Sequence, residues 1–280
     1  MVTGRDASRR TSDAAYRNLL HEYVSCIWQV ALLIIAAEGI PTVSHHEDAQ
    51  RQDHQQTEKA EQKPQPTILL LIRHATNDWV GTDRLAGWTP GVHLNEEGRR
   101  QAQALAERLA KQKIAAIYSS PLERTVETAE ILARPHGLPI RIRDGLGEVR
   151  YGDWTGQSVK ELAEKQADLW RIVQVIPSQA RFPNGESLYE MQVRAVRELD
   201  AIARAHPGQI VAVVSHADVI KACLAHYLGI HLDLFQRLVI SPASLTVVQV
   251  FPMGVLVSCV NDTSHVPEQQ KVEEAQESAS

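Results

Sequence analysis

Two histidines and two arginines stand where an α/β chain can use them for chemistry. Arg73-His74-Ala75-Thr76 follows directly on the apolar run Ile68-Leu69-Leu70-Leu71-Ile72, which places a histidine at the C-terminal end of a buried strand. Open α/β sheets hold their ligands at that end. A guanidinium is always charged and is rarely left unpaired at the rim of a core, so Arg73 implies an anion. His216 repeats the arrangement, following Ile210-Val211-Ala212-Val213-Val214-Ser215 and leading into a helical pattern through Val219, Ile220, Ala222, Leu224, Ala225 and Leu228. Between them, Ser119-Ser120-Pro121-Leu122-Glu123-Arg124-Thr125 follows the short apolar stretch 114–118. Ser120 and Glu123 have capping-box spacing and Pro121 suits a first helical position, which predicts a helix with Arg124 in its first turn. There the guanidinium would meet an anion beside free backbone N–H groups. A neutral imidazole is also a competent nucleophile near pH 7.

The elements that must position these residues alternate strand and helix. Asn95 caps a helix whose stripe is Ala102, Leu105, Ala106, Leu109 and Ala110; Ser158 with Glu161 and Ser187 with Glu190 repeat the capping-box spacing. Leu188, Met191, Ala195, Leu199 and Ile202 form a second buried stripe, in which the methionine is a packing residue. Residues 245–250 and 255–260 flank Phe251-Pro252-Met253-Gly254 and read as a hairpin. The pattern predicts a three-layer α/β/α fold: a mostly parallel sheet, helices on both faces, and an antiparallel edge strand from the hairpin.

Taken together, the motifs resemble those of the histidine phosphatase superfamily, the phosphoglycerate mutase-like group. The matching residues are Arg73-His74-Ala75-Thr76, Ser119-Ser120-Pro121-Leu122-x-Arg124-x-x-x-Thr128-Ala129, Gly147-Glu148-x-x-x-Gly152-x-Trp154-x-Gly156, Pro183-x-Gly185-Glu186-Ser187 and Val214-Ser215-His216-Ala217. All five occur in family order, from about Thr67 to about Asn261. The resemblance implies a phosphoglycerate mutase-like fold and phosphoryl transfer through a phosphohistidine, without metal or cofactor. Charge spreads over the equatorial phosphoryl oxygens in such a transfer, so fixed cations must surround the nucleophile. His74 is then the nucleophile, Arg73 and Arg124 clamp the phosphoryl oxygens, and His216, if protonated beside the phosphate, adds charge and a hydrogen bond. The resemblance gives the role of proton donor to Glu148, whose carboxyl a nearby phosphate dianion should keep protonated. Thr76, Asn77 and Ala217 join Arg73, Arg124 and His216 as substrate-binding residues.

Departures from the family pattern bear on the reaction. Ala75 stands where many members have Gly, Val80 where many have an Asn donor, and Ala217-Asp218 where Gly-Gly pairs are common. Asn77 or Thr76 would replace the missing amide. Residues 158–179 contain no Arg-Tyr-Tyr stretch of the kind mutases carry; they read as a short apolar helical lid with Leu162, Leu169, Trp170, Ile172, Val173 and Val175. A less enclosed site admits water, which favours a phosphatase acting on small-molecule phosphomonoesters. A phosphomutase using the same phosphohistidine is the alternative, and a non-catalytic phosphate-ester binding protein a third reading. Arg150, Arg171 and Arg181 are further candidates for anionic substrate groups, and the pocket walls should come from 80–93 and 157–190.

The composition suits a soluble enzyme. At 280 residues with 44% hydrophobic and 22% charged, the chain can bury one core of about 200 residues. A net charge of -5, without a basic run interleaved with aromatics, argues against nucleic acid. Cys26, Cys223 and Cys259, odd in number and far apart, suit the reducing cytoplasm better than a disulfide framework or zinc site. Residues 1–65 read as an extension: an apolar stretch within 23–37 behind Arg9, Arg10 and Arg17, then a polar linker holding His45, His46 and His54. The stretch falls short of the roughly 20 residues a membrane span needs, and Asp13 and Glu22 disturb a signal-peptide flank, so a peripheral, dispensable helix is expected. The domain proper is read as 66–262 and the polar tail 263–280 as frayed. The expected partner is a phosphorylated small molecule, with a homodimer left open.

Overall fold

A computed structural model describes residues 65–266. The expected N-terminal helix and linker, Cys26, the three linker histidines and the tail beyond 266 lie outside the described residues.

Six strands form one sheet in the order β3-β2-β4-β1-β5-β6. They are β1 (Thr67–Arg73), β2 (Ile114–Ser119), β3 (Ile140–Ile142), β4 (Ile210–Ser215), β5 (Leu245–Phe251) and β6 (Gly254–Asp262). β1 and β4 run parallel in the register Arg73↔Ser215, and β2 runs parallel to β4 with Ser119↔Val214. The chain ends leading to His74, Ser120 and His216 therefore emerge side by side. β5 pairs antiparallel with β1, and β6 antiparallel with β5, so the hairpin supplies the antiparallel edge expected.

The central strands are apolar on both faces because both are covered. Leu69 and Leu71 enter one core, Leu70 and Ile72 the other. Helices α1 (Glu96–Leu109) and α2 (Glu123–Ala133) bury Ala102, Leu105, Ala106, Leu109, Ala129 and Leu132 on the second face. The first face is covered by α3 (Val159–Lys165), α4 (Ala167–Val175), α5 (Leu188–Ala205) and α6 (Ala217–Tyr227). Adjacent β1 and β4 thus send their next helices to opposite faces, which opens a crevice at their C-terminal ends.

The caps hold in part. Asn95 accepts from Gly98 N at 2.9 Å, and Ser187 with Glu190 forms a complete capping box. Ser158 caps Glu161 N at 3.2 Å, but the Glu161 carboxylate turns to Lys165 at 2.8 Å instead of reaching back. Ser120 caps nothing in the expected way: α2 begins at Glu123 with Leu122 as its N-cap. The Ser120 hydroxyl is taken by His216 Nε2 at 2.8 Å and the Glu123 carboxylate by Gly91 N at 3.0 Å, so neither is free to close the box. Ala110, expected in the α1 stripe, is the exposed C-cap.

Residues 263–266 dock instead of fraying. The His265 ring bonds Ala243 O at 3.0 Å, and Arg108 reaches Ser264 Oγ at 3.0 Å beside its ion pair with Asp262. Among the described residues no helix is long and apolar enough to cross a membrane.

Gly98, in the first turn of α1, presses on the loop that carries the first motif. A Cβ there would stand 1.9 Å from Thr76 O, and backbone cannot yield as a flexible side chain can. Gly98→Ala should cost at least about 2 kcal/mol by overpacking, read as a lowered urea midpoint, and should also impair the neighbouring His74.

Candidate active site

The crevice at the ends of β1 and β4 holds a cavity of about 240 Å³, a little below the usual range for drug-sized ligand sites. Arg73, His74, Asn77, Arg124, Glu148 and Ala217 line it, as the motifs imply. His216 lies just behind, fully buried, its ring centroid 5.3 Å from that of His74. Thr76 does not line the cavity: its backbone N–H donates to Gln101 Oε1 at 3.0 Å and its carbonyl accepts from Asn95 N at 3.3 Å. Those bonds turn it toward α1. Arg150, Arg171 and Arg181 are also outside the lining. Arg150 stacks over Trp88 at 4.5 Å, Arg181 pairs with Glu190, and Arg171 is exposed.

His74 is held in one tautomer. Its Nδ1 lies 2.8 Å from Ala75 O, a partner that can only accept, so the proton sits on Nδ1 and Nε2 keeps its lone pair. Burial, then the charges of Arg124 and Arg73, hold this imidazole well below its ordinary pKa of 6.5. His216 is likewise depressed, by burial first and then by Arg124, His74 and Arg73. Without a bound phosphate, burial and the surrounding cations disfavour the protonated ring, although the Glu148 carboxyl lies near, its Oε2 3.7 Å from Nδ1. Its Nδ1 accepts from Arg124 at 3.4 Å and its Nε2–H donates to Ser120 Oγ.

Both guanidiniums are anchored on one side and free on another. Arg73 donates to Ile240 O at 2.7 Å and Arg124 to Gly87 O at 2.8 Å. Arg73 Nε and Arg124 Nη1 are buried without a partner. A buried donor of a charged group left unpaired costs free energy, and a bound oxyanion would satisfy both.

Glu148 has its carboxyl pushed up to about 7, by burial first and then by the charge of Asp218, against the opposing pull of Arg124 and Arg73. The side chain is 14% exposed. The protein itself raises this group, and a phosphate dianion would only add to the effect. Its loop is fixed from below. Arg194 on α5 donates to Gly145 O at 2.9 Å, Gly147 O at 2.8 Å and Glu148 O at 2.9 Å, and its guanidinium forks onto Glu186 at 2.6 and 2.9 Å. Gly152 lets the same loop lie against the 183–186 segment, since a Cβ there would be 2.0 Å from Pro183 O. The third and fourth motifs are thus two sides of one support.

Removing Arg194 strands three carbonyls and Glu186. Arg194→Ala should lower kcat for an alkyl phosphate by roughly 10–100-fold, with a much smaller loss for an aryl phosphate that needs no protonation. Parallel kinetics on the two esters would measure the difference.

Several lining residues were not foreseen. Trp79, Arg84, Leu85 and Ala86 form a wall from the loop after the first motif, and Tyr151 and Asp218 complete it. Only its 80–86 part fell within the expected walls. No residue of the expected lid lines this cavity; Trp170, Val173 and Gln174 of α4 border an adjoining one of about 110 Å³ that shares Leu85, Tyr151 and Asp218 with it. Asp218 was visible as a departure from the family pattern, whereas Arg194 sits in an ordinary amphipathic helix and carries no local signal.

Comparison with known proteins agrees with this fold. The histidine phosphatase superfamily (branch 1) profile matches residues 69–263. Phosphoserine phosphatase 1 of Hydrogenobacter thermophilus is 32% identical over 200 residues, covering 71% of this chain and 94% of that protein. The probable phosphoglycerate mutase GpmB of Yersinia pestis is 30% identical over 204 residues, with 71% and 94% covered. Among solved structures, Bacillus stearothermophilus YhfR superposes with a TM-score of 0.69 at 30% identity, over 72% of this chain and 100% of its own. The chain belongs to the histidine phosphatase superfamily.

Proposed function

We propose that the protein hydrolyses small phosphomonoesters without a metal ion, through a phosphohistidine on His74. The observation that carries this reading is the pairing of a fixed Nε2 lone pair on His74 with two unpaired guanidinium N–H groups beside it. Arg73 and Arg124 take the phosphoryl oxygens, Asn77 and the Ala217 backbone border them, and His74 Nε2 attacks phosphorus in line as the ester P–O bond breaks. Glu148 gives its proton to the leaving oxygen. Water then attacks the phosphohistidine and returns a proton to Glu148, which restores both groups. His216 begins neutral, and a bound phosphoryl dianion raises its pKa and draws a proton onto it.

Gly81, Thr82 and Arg84 at the cavity rim are exposed. Water therefore reaches the phosphoenzyme, which supports hydrolysis over mutase chemistry. The GpmB likeness keeps the phosphomutase reading as the rival. Cys223 and Cys259 are free thiols, in keeping with a cytoplasmic protein.

The test is phosphate release by the full chain from a panel of phosphorylated metabolites with a chelator present. Release that the chelator leaves unchanged is the expected result. Isomerisation of 3-phosphoglycerate without release would favour the mutase.

A further inference from the structure

Asp218 lines the cavity together with His74, Arg73 and Glu148. It lies in the first turn of α6, two residues after His216, where an acidic side chain favours the helix dipole whatever the site does. Its side chain is 25% exposed, and its partners are weak. One oxygen is 3.4 Å from Tyr151 OH, the other 3.4 Å from Lys221 Nζ, and Lys221 is not part of the lining. Lys221 has a better contact, 3.0 Å to Gln236. A carboxylate has room for about four hydrogen bonds, so Asp218 keeps unused acceptor capacity beside the seat of the phosphoryl group.

That position is costly for most phosphomonoesters. A dianionic phosphoryl group held by Arg73 and Arg124 feels a second negative charge from Asp218, and a substrate carrying further anionic groups feels it more. An ester whose alcohol bears an ammonium group near the phosphate converts the repulsion into a charge-assisted hydrogen bond. Resting on the phosphatase reading of this site, we infer that Asp218 is a specificity-determining residue selecting phosphorylated amino alcohols, phospho-amino acids included, over esters of the same size that carry a hydroxyl in place of the ammonium. Arg84, also lining the cavity and largely exposed, is placed to meet a carboxylate on such a substrate.

O-phosphoserine and 3-phosphoglycerate make a matched pair, since they differ only in an ammonium against a hydroxyl at one carbon. Their dissociation constants, measured by calorimetry on the full chain carrying His74→Ala, which cannot turn the esters over, and on the same chain with Asp218→Asn added, isolate the ammonium contact. The two esters share the phosphate, so any change at Glu148 cancels in the ratio. With Asp218 in place the chain should favour O-phosphoserine by roughly 10–100-fold, the worth of a hydrogen bond between charged groups, and Asp218→Asn should bring the ratio to within about twofold. A ratio near one with Asp218 in place, or one that the substitution leaves unchanged, overturns the inference and returns Asp218 to a helix-capping charge. Failure of both esters to release phosphate would count against the phosphatase reading alone, because the affinity ratio still judges Asp218.

Discussion

His74→Ala should abolish phosphate release, with a fall in kcat of at least about 10⁴-fold. The size follows from what else the site contains. His216 cannot stand in, because its Nε2 is engaged with Ser120 and its Nδ1 with Arg124, and neither nitrogen offers a lone pair toward the cavity. The small His74 side chain is 4% exposed within a packed rim, so alanine leaves a hole without unravelling the sheet. Phosphate should still bind, since Arg73 and Arg124 keep their anchors on Ile240 O and Gly87 O. The check is a pair of measurements on one preparation: turnover lost, and competitive binding of inorganic phosphate retained within a few-fold. Residual turnover above about one per cent would remove His74 from the nucleophile's role.

Glu148→Gln should cost about 10²–10⁴-fold in kcat for an alkyl ester, the range for losing a general acid, and far less for an aryl ester whose leaving group departs unprotonated. The pH profile carries the same information. Glu148 titrates at about 7, so kcat/KM of the native enzyme should fall as pH rises above about 7, and the substitution should remove that limb. The opposite limb belongs to His74, which must be unprotonated to attack; its depressed pKa puts that limb below 6.5.

Stability should show the same group with its own sign. Glu148 holds its proton more tightly folded than at its ordinary 4.5, so its contribution is complete below 4.5 and is lost as pH rises through 7. The loss amounts to about 3 kcal/mol at most. The depressed histidines act in reverse, their contribution being complete above 6.5 and lost on acidification. Urea unfolding at pH 5 and pH 8 should show Glu148→Gln losing less stability than the native protein between the two.

How far the site was legible depends on whether its residues are marked by their neighbours in the chain. Arg73, His74 and His216 were readable because each ends an apolar run, and the burial that makes such a run a strand also fixes where it stops. Arg124 was readable through its place in a helix start, although the capping argument for that start failed once Ser120 turned to His216. Thr76 was misplaced because a one-residue step along a loop reverses a side chain's direction, and the bonds that turned it come from Gln101 and Asn95 on α1. Arg150, Arg171 and Arg181 looked alike in sequence. Arg84 and Arg194 reached the functional loops only through contacts that residue spacing does not encode.

The chain's own order of residues therefore determined the family, the layered α/β fold and the two arginines, two histidines and glutamate that meet in the crevice. Those depend on periodicity and on motifs whose members lie within a turn or a strand of one another. Tertiary structure alone decided the rest. Trp79, Tyr151 and Asp218 joined the expected 80–86 wall while the expected lid stayed out of the lining, Glu148 was raised by burial and Asp218 before any phosphate arrives, and His216 was depressed by burial and the cations around it. Charge and desolvation act through space over a few ångströms, between residues separated by up to 145 positions, and the sum of those effects exists only once the sheet has brought the strand ends together.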